Sequence, residues 1–189
     1  MPNMATDESG LLAFIRPQNG VINIDVPISL KSSRSFPASA VKILARVWQK
    51  KINETWNSSD WIYPGTNCRI RINATVGVDD SSAANQIDIG DKGISNAFYR
   101  GGDNKGGGTW YVDVVNPITG IAYDGTGAVA HETGHLMRLN DLNDPKYADD
   151  IMGGWDKKPT LGAVLNALYL LNGESGGALD FSKNCACGK

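Results

Sequence analysis

VINIDVPISL, residues 21–30, alternates without a break: Ile22, Ile24, Val26, Ile28 and Leu30 share one face, with Asn23, Asp25, Pro27 and Ser29 between them. Period two marks a half-buried strand. Pro27 has no N–H to give to a ladder, so an edge position or a bulge is expected there. Residues 38–56 then place Val41, Leu44, Ala45, Trp48, Ile52 and Trp56 on one helical stripe, which Asn57-Ser58-Ser59 ends. RIRINATVGV, residues 69–78, returns to period two through Ile70, Ile72, Ala74, Val76 and Val78. A strand, a helix and a strand in this order allow parallel pairing with the helix as crossover.

Further along, short strands are expected at 86–90 and 109–115, and helices at 126–139 and 160–172, with 140–156 irregular. The Gly-rich run from Gly101 to Gly108 lacks the lysine–hydroxyl pair of a phosphate-binding loop and opens no helix, so it reads as a flexible turn. The expected fold is α/β of the α+β kind: a mixed twisted sheet with two packed helices, then a small lobe ending in a third helix. We expect one domain over 1–189, with an N-terminal lobe (1–139) and a C-terminal lobe (140–189).

Composition narrows the function. Hydrophobic residues make up 41% and charged residues 20%, enough apolar material for a core. The net charge of −2 and the scattered basic residues give no basic face, which argues against a nucleic-acid binder. No apolar run reaches the roughly 18 residues that span a bilayer. Met1 to Arg16, with Asp7 and Glu8, does not read as a secretory signal. Three cysteines, Cys68, Cys185 and Cys187, allow one pair and one leftover thiol, or no pair. Because Cys185 and Cys187 are too close to bridge easily, a pair would join Cys68 to one of them.

The only two histidines fall in VAHETGHLMRLND, residues 129–141. On a helix, His131 and His135 lie one turn apart on one face. Two imidazoles so placed can share one Zn²⁺, and Glu132 at the border of that face can reach a water without ligating the metal. This HExxH pattern arises by chance in such a chain about once in 4,500 trials, so it outweighs every other motif here. A third ligand leaves one coordination position open. With no histidine left it is a carboxylate: Asp141 first, with Asp144, Asp149, Asp150 and Glu174 as competitors.

HETGHLMRLND resembles the extended motif of metzincin zinc peptidases, HExxHxxGxxH, in the variant with aspartate as third ligand carried by small snapalysin-type peptidases. Ile151-Met152-Gly153-Gly154 resembles the methionine turn of that family. More loosely, residues 20–155 are similar to metallopeptidase domains of bacterial Rhs-type toxins, through ETWNSSDWIY, the stretch from Arg100 to Trp110, AHE-GHL and IMG. The resemblance implies zinc held by His131, His135 and Asp141, Glu132 as general base, and Met152 as a structural floor. It implies a zinc endopeptidase acting on protein or peptide substrates, as a secreted monomer or a delivered bacterial toxin, with an inhibitor or immunity protein as partner. A non-catalytic zinc-containing binding module is the alternative. Two positions depart from the family. Arg138 stands where the motif has glycine, so either Arg138 exits the helix as a strained residue at positive φ, the favoured expectation, or Asn140 takes over the turn. Gly154 and Trp155 stand where a tyrosine follows the methionine; Tyr147 is the nearest substitute, and Trp155 and Tyr147 are candidates for the substrate pocket.

Overall fold

The computed structural model describes residues 13–18, 20–100, 105–115, 122–174 and 180–181. β2 (Val21–Leu30), α1 (Ala38–Trp56) and β4 (Arg69–Val78) occupy the stretches expected of them. β2 and β4 pair in parallel over their whole length, from Val21–Arg69 to Leu30–Val78. Val41, Ala45, Trp48, Ile52 and Trp56 form the buried stripe of α1, and Ile22, Ile24, Ile28, Ile70 and Ile72 of the two strands are buried as completely. Each such side chain contributes about 1.5–3 kcal/mol by leaving water, and this stripe fixes which face of the sheet the crossover helix covers.

Pro27 is not at an edge, and its neighbours explain why it is tolerated. On the side of β2 away from β4, β1 (Phe14–Gln18) pairs antiparallel only as far as Asp25, and β5 (Asn85–Gly93) begins its parallel pairing at Ile28. The missing N–H therefore falls between two partners, and the Pro27 carbonyl accepts a hydrogen bond from Asn85 Nδ2 at 2.7 Å. β5 starts where β2 and β4 end, so the link over 79–84 needs no crossover helix.

β3 (Trp61–Ile62), β6 (Asn96–Arg100), β7 (Lys105–Val115) and β8 (Ala122–Asp124) complete a mixed sheet in the order β3-β4-β2-β5-β7-β6, with β1 beside β2 and β8 beside β7. Within the expected flexible turn, residues 105–108 are instead the start of β7. They are paired with β5 on one side and β6 on the other. Gly107 lies under the ring of Phe98, and a side chain on Gly108, at φ 156°, would strike the Asn96 carbonyl. The glycines thus allow close approach inside a sheet rather than a loop.

α2 (Ala128–Leu136) is shorter than expected, opened by a single 3₁₀ turn and closed before Met137. α3 (Leu161–Glu174) follows an irregular stretch. One buried cluster runs from Ala13 to Phe181 and includes side chains from both expected lobes. Cys68 is buried and disulfide-bonded; Cys185 and Cys187 lie outside the described residues. Among the described residues, no helix is long and apolar enough to cross a membrane.

Candidate metal centre

α2 is enclosed almost all round: of its nine residues only His135 is partly exposed. Trp56 at the end of α1 donates its indole N–H to the Ala130 carbonyl at 2.8 Å, tying the two helices one residue before His131. Glycine in a helix interior costs about 1 kcal/mol against alanine, and Gly134 repays that cost by proximity. A Cβ there would sit 2.3 Å from Met152 Sδ and 3.2 Å from the Trp56 ring. Met152, itself buried, therefore lies directly against α2 at Gly134.

The exit of α2 follows the Schellman pattern. Arg138 N–H donates to the His135 carbonyl and Leu139 N–H to the Gly134 carbonyl, both at 3.0 Å. Arg138 stands at the left-handed position with φ 70°, the strained exit expected from its replacement of glycine. The turn returns the chain over the helix: Leu142 N–H donates to the Met152 carbonyl at 2.9 Å, and Asp141 arrives beside the histidines.

Both rings are aimed by backbone carbonyls. His131 Nδ1 donates to the Ile151 carbonyl at 2.6 Å, and His135 Nδ1 to the Leu139 carbonyl at 2.8 Å. A carbonyl can only accept, so each Nδ1 carries the proton and each Nε2 offers its lone pair. Burial pushes the His131 imidazole below its usual value, which favours the neutral ligating form. Asp141 Oδ1 lies 3.1 Å from His131 Nε2 and 3.4 Å from His135 Nε2. Ligands about 2.0–2.1 Å from a tetrahedral ion stand roughly 3.3 Å apart, so the donor set fits a metal ion of that kind. Among the described residues this is the one such group. Asp144 accepts from Lys146 N–H, Asp149 is fully exposed, and Asp150 is turned away to hold Met152 N–H and Thr160. Glu174 ends α3 and its side chain is outside the description.

Glu132 is 3% exposed, and its Oε2 is buried with no hydrogen-bond partner among the described residues. Burial, with the Asp141 carboxylate adding to it, pushes its carboxyl up to about 8; the backbone of Ala97 on β6 pulls the other way. An unsatisfied carboxylate oxygen beside three convergent ligands is the acceptor a water molecule would need. β6 pairs only with β7 among the described strands, and the backbone of its Ala97 hydrogen-bonds Glu132. Residues 109–114 pair with β5 along one side, and on the other Thr109 meets β6 while Asp113 and Val114 meet β8.

Trp155 lines a cleft of about 230 Å³ together with His131, Asp141, Met152 and Gly154. Tyr147 does not line it; it is exposed, with the Lys146 ammonium over its ring at 4.8 Å. Sequence reading gave no part at the site to Trp56, Gly134 or the carbonyls of Leu139 and Ile151. Only the helix-interior glycine carried a signal, since its cost calls for a packing reason. No family model matches the chain, and no curated protein matches it in sequence.

Proposed function

We propose that the protein is a zinc-dependent endopeptidase of metzincin type. The observation that carries this reading is the convergence of His131 Nε2, His135 Nε2 and Asp141 Oδ1 beside a buried, unpartnered Glu132 oxygen. Zinc bound there would supply Lewis-acid polarisation of a carbonyl and a water acidified to a pKa of about 7. His131 and His135 would hold the ion with Nε2, oriented by Ile151 and Leu139, and Asp141 would complete the set. Glu132 would take the proton of the attacking water and deliver it to the leaving amine. An extended peptide adding to the outer edge of β6 would run past Glu132. Met152 packs the helix from below and keeps the two imidazoles in register.

Three protein ligands favour this reading over a structural zinc module, which needs four. The disulfide at Cys68 supports action in an oxidising compartment, as a secreted or delivered protein. The test is hydrolysis of casein by zinc-loaded protein. Chelator and Asp141→Ala should each abolish it with loss of zinc, whereas Asp144→Ala should leave both intact. Glu132→Gln should keep zinc and lose activity by 10²-fold or more, the usual cost of a lost general base. Hydrolysis that survives chelation, or zinc retained in full by Asp141→Ala, would refute it.

A further inference from the structure

Two clefts flank the histidine pair, and they differ in size and chemistry. The one past His131 encloses about 230 Å³ and is walled by Asp141, Asn143, Gly153, Gly154 and Trp155, a small and largely polar space. The one past His135 encloses about 560 Å³. One wall is His135 with the exit of α2 (Arg138, Leu139 and Asn140), and the other is formed by two elements that supply no metal ligand, Ala97 and Phe98 from β6 and Leu170 and Gly173 from α3. Phe98 is 42% exposed and Leu170 39%, so the protein presents two large apolar side chains across this opening. Gly107 lies beneath the Phe98 ring, where a Cβ would come within 3.1 Å, so the ring is seated against the sheet. α3 is apolar on more than its buried side: Val164, Leu168 and Leu171 face the core while Leu161, Tyr169 and Leu170 face outward. At Leu170 that outward surface is continuous with the metal group through the cleft. Among the described lining residues none is acidic, and Arg138 is the one cation.

We propose that the His135 cleft determines specificity: it takes one bulky apolar side chain of an extended peptide between Phe98 and Leu170. Lysine and arginine are disfavoured because no acid lines the cleft among the described residues. The His131 cleft, on the other side of the bond to be cut, admits a small or polar residue. That a bond is cut between the two clefts rests on the endopeptidase reading; the selectivity of the cleft for a peptide side chain does not.

The probe is a set of fluorescein-labelled octapeptides of alanine and serine in which a single phenylalanine is walked along the chain. They are titrated by anisotropy onto zinc-loaded Glu132→Gln protein, and casein hydrolysis by the parent is measured alongside. One register should bind about tenfold or more tightly than the peptide without phenylalanine, as burial of an aromatic side chain implies. Lysine in that register should bind no better than alanine. Phe98→Ala and Leu170→Glu should each bring the phenylalanine-to-alanine ratio towards one. Leu170 is on the surface of α3, so its variant keeps the test valid should Phe98→Ala fail to fold. A ratio near one before substitution, or one that Leu170→Glu leaves unchanged, overturns the proposal. Selective binding without hydrolysis would leave the cleft standing and remove the endopeptidase reading, while hydrolysis without selectivity would do the reverse.

Discussion

Burial holds the Glu132 carboxyl at about 8 in the metal-free protein, and stability must depend on pH in consequence. An acid with a raised folded pKa keeps its proton in the folded chain while the unfolded chain releases it. Stability then falls as pH rises from the ordinary carboxylate range to about 8. Glu132→Gln removes this loss. The melting temperature of the metal-free variant, minus that of the metal-free parent, should therefore grow between pH 5 and pH 8. His131 is shifted downwards by burial and costs stability only as pH falls through the usual histidine range, equally in both proteins. A difference that stays flat with pH would contradict the buried setting of Glu132. At Arg138, φ of 70° costs a side-chain-bearing residue about 1 kcal/mol, part of which glycine returns through a looser unfolded chain. Arg138→Gly should melt no lower than the parent in a thermal-shift measurement; a clear drop would mean that the contacts of the arginine side chain outweigh its strain. The four side chains of the site were legible in sequence because their spacing is local. The carbonyls of Ile151 and Leu139 were not, since every residue has a carbonyl and no side chain marks the one that aims an imidazole.

Trp56 joins two helices that sequence periodicity treats separately. Its indole bond to the Ala130 carbonyl is buried, so Trp56→Phe should cost about 1 kcal/mol and lower the melting temperature by about 2–4 °C. An unchanged melting curve would show that the bond contributes nothing. Periodicity placed β2, α1 and β4 to the residue because each buries one continuous face. It failed at β1, β3, β6 and β8, which run from two to five residues and carry too few alternations to register. It failed at the start of β7 for a different reason: Gly106, Gly107 and Gly108 have no side chains to alternate, and their fitness for a strand appears only once Phe98 and Asn96 lie against them. The same lack of local signal hid the partners of Pro27, whose acceptability depends on where β1 stops and β5 starts.

Across the whole molecule, the single buried cluster from Ala13 to Phe181 favours one cooperative unfolding transition. Zinc should raise its midpoint. At a thousandfold excess over the dissociation constant the gain is about 4 kcal/mol, or about 8–16 °C for a chain of this size, and chelator should reverse it. That value assumes that the unfolded chain takes no metal, and the placement of the ligands bears on the assumption. His131, His135 and Asp141 all fall within HETGHLMRLND, whereas Ile151, Trp56 and Met152, which hold them in position, come from elsewhere in the chain. Unfolding removes the distant supports and leaves the short loop of two imidazoles and a carboxylate intact as a weak chelator. As zinc concentration rises, the melting temperature should therefore climb and then level off, at a plateau fixed by the ratio of the folded and unfolded affinities rather than by the folded affinity alone. The height of that plateau measures what the distant carbonyl, tryptophan and methionine add to a metal site whose ligands could gather without them.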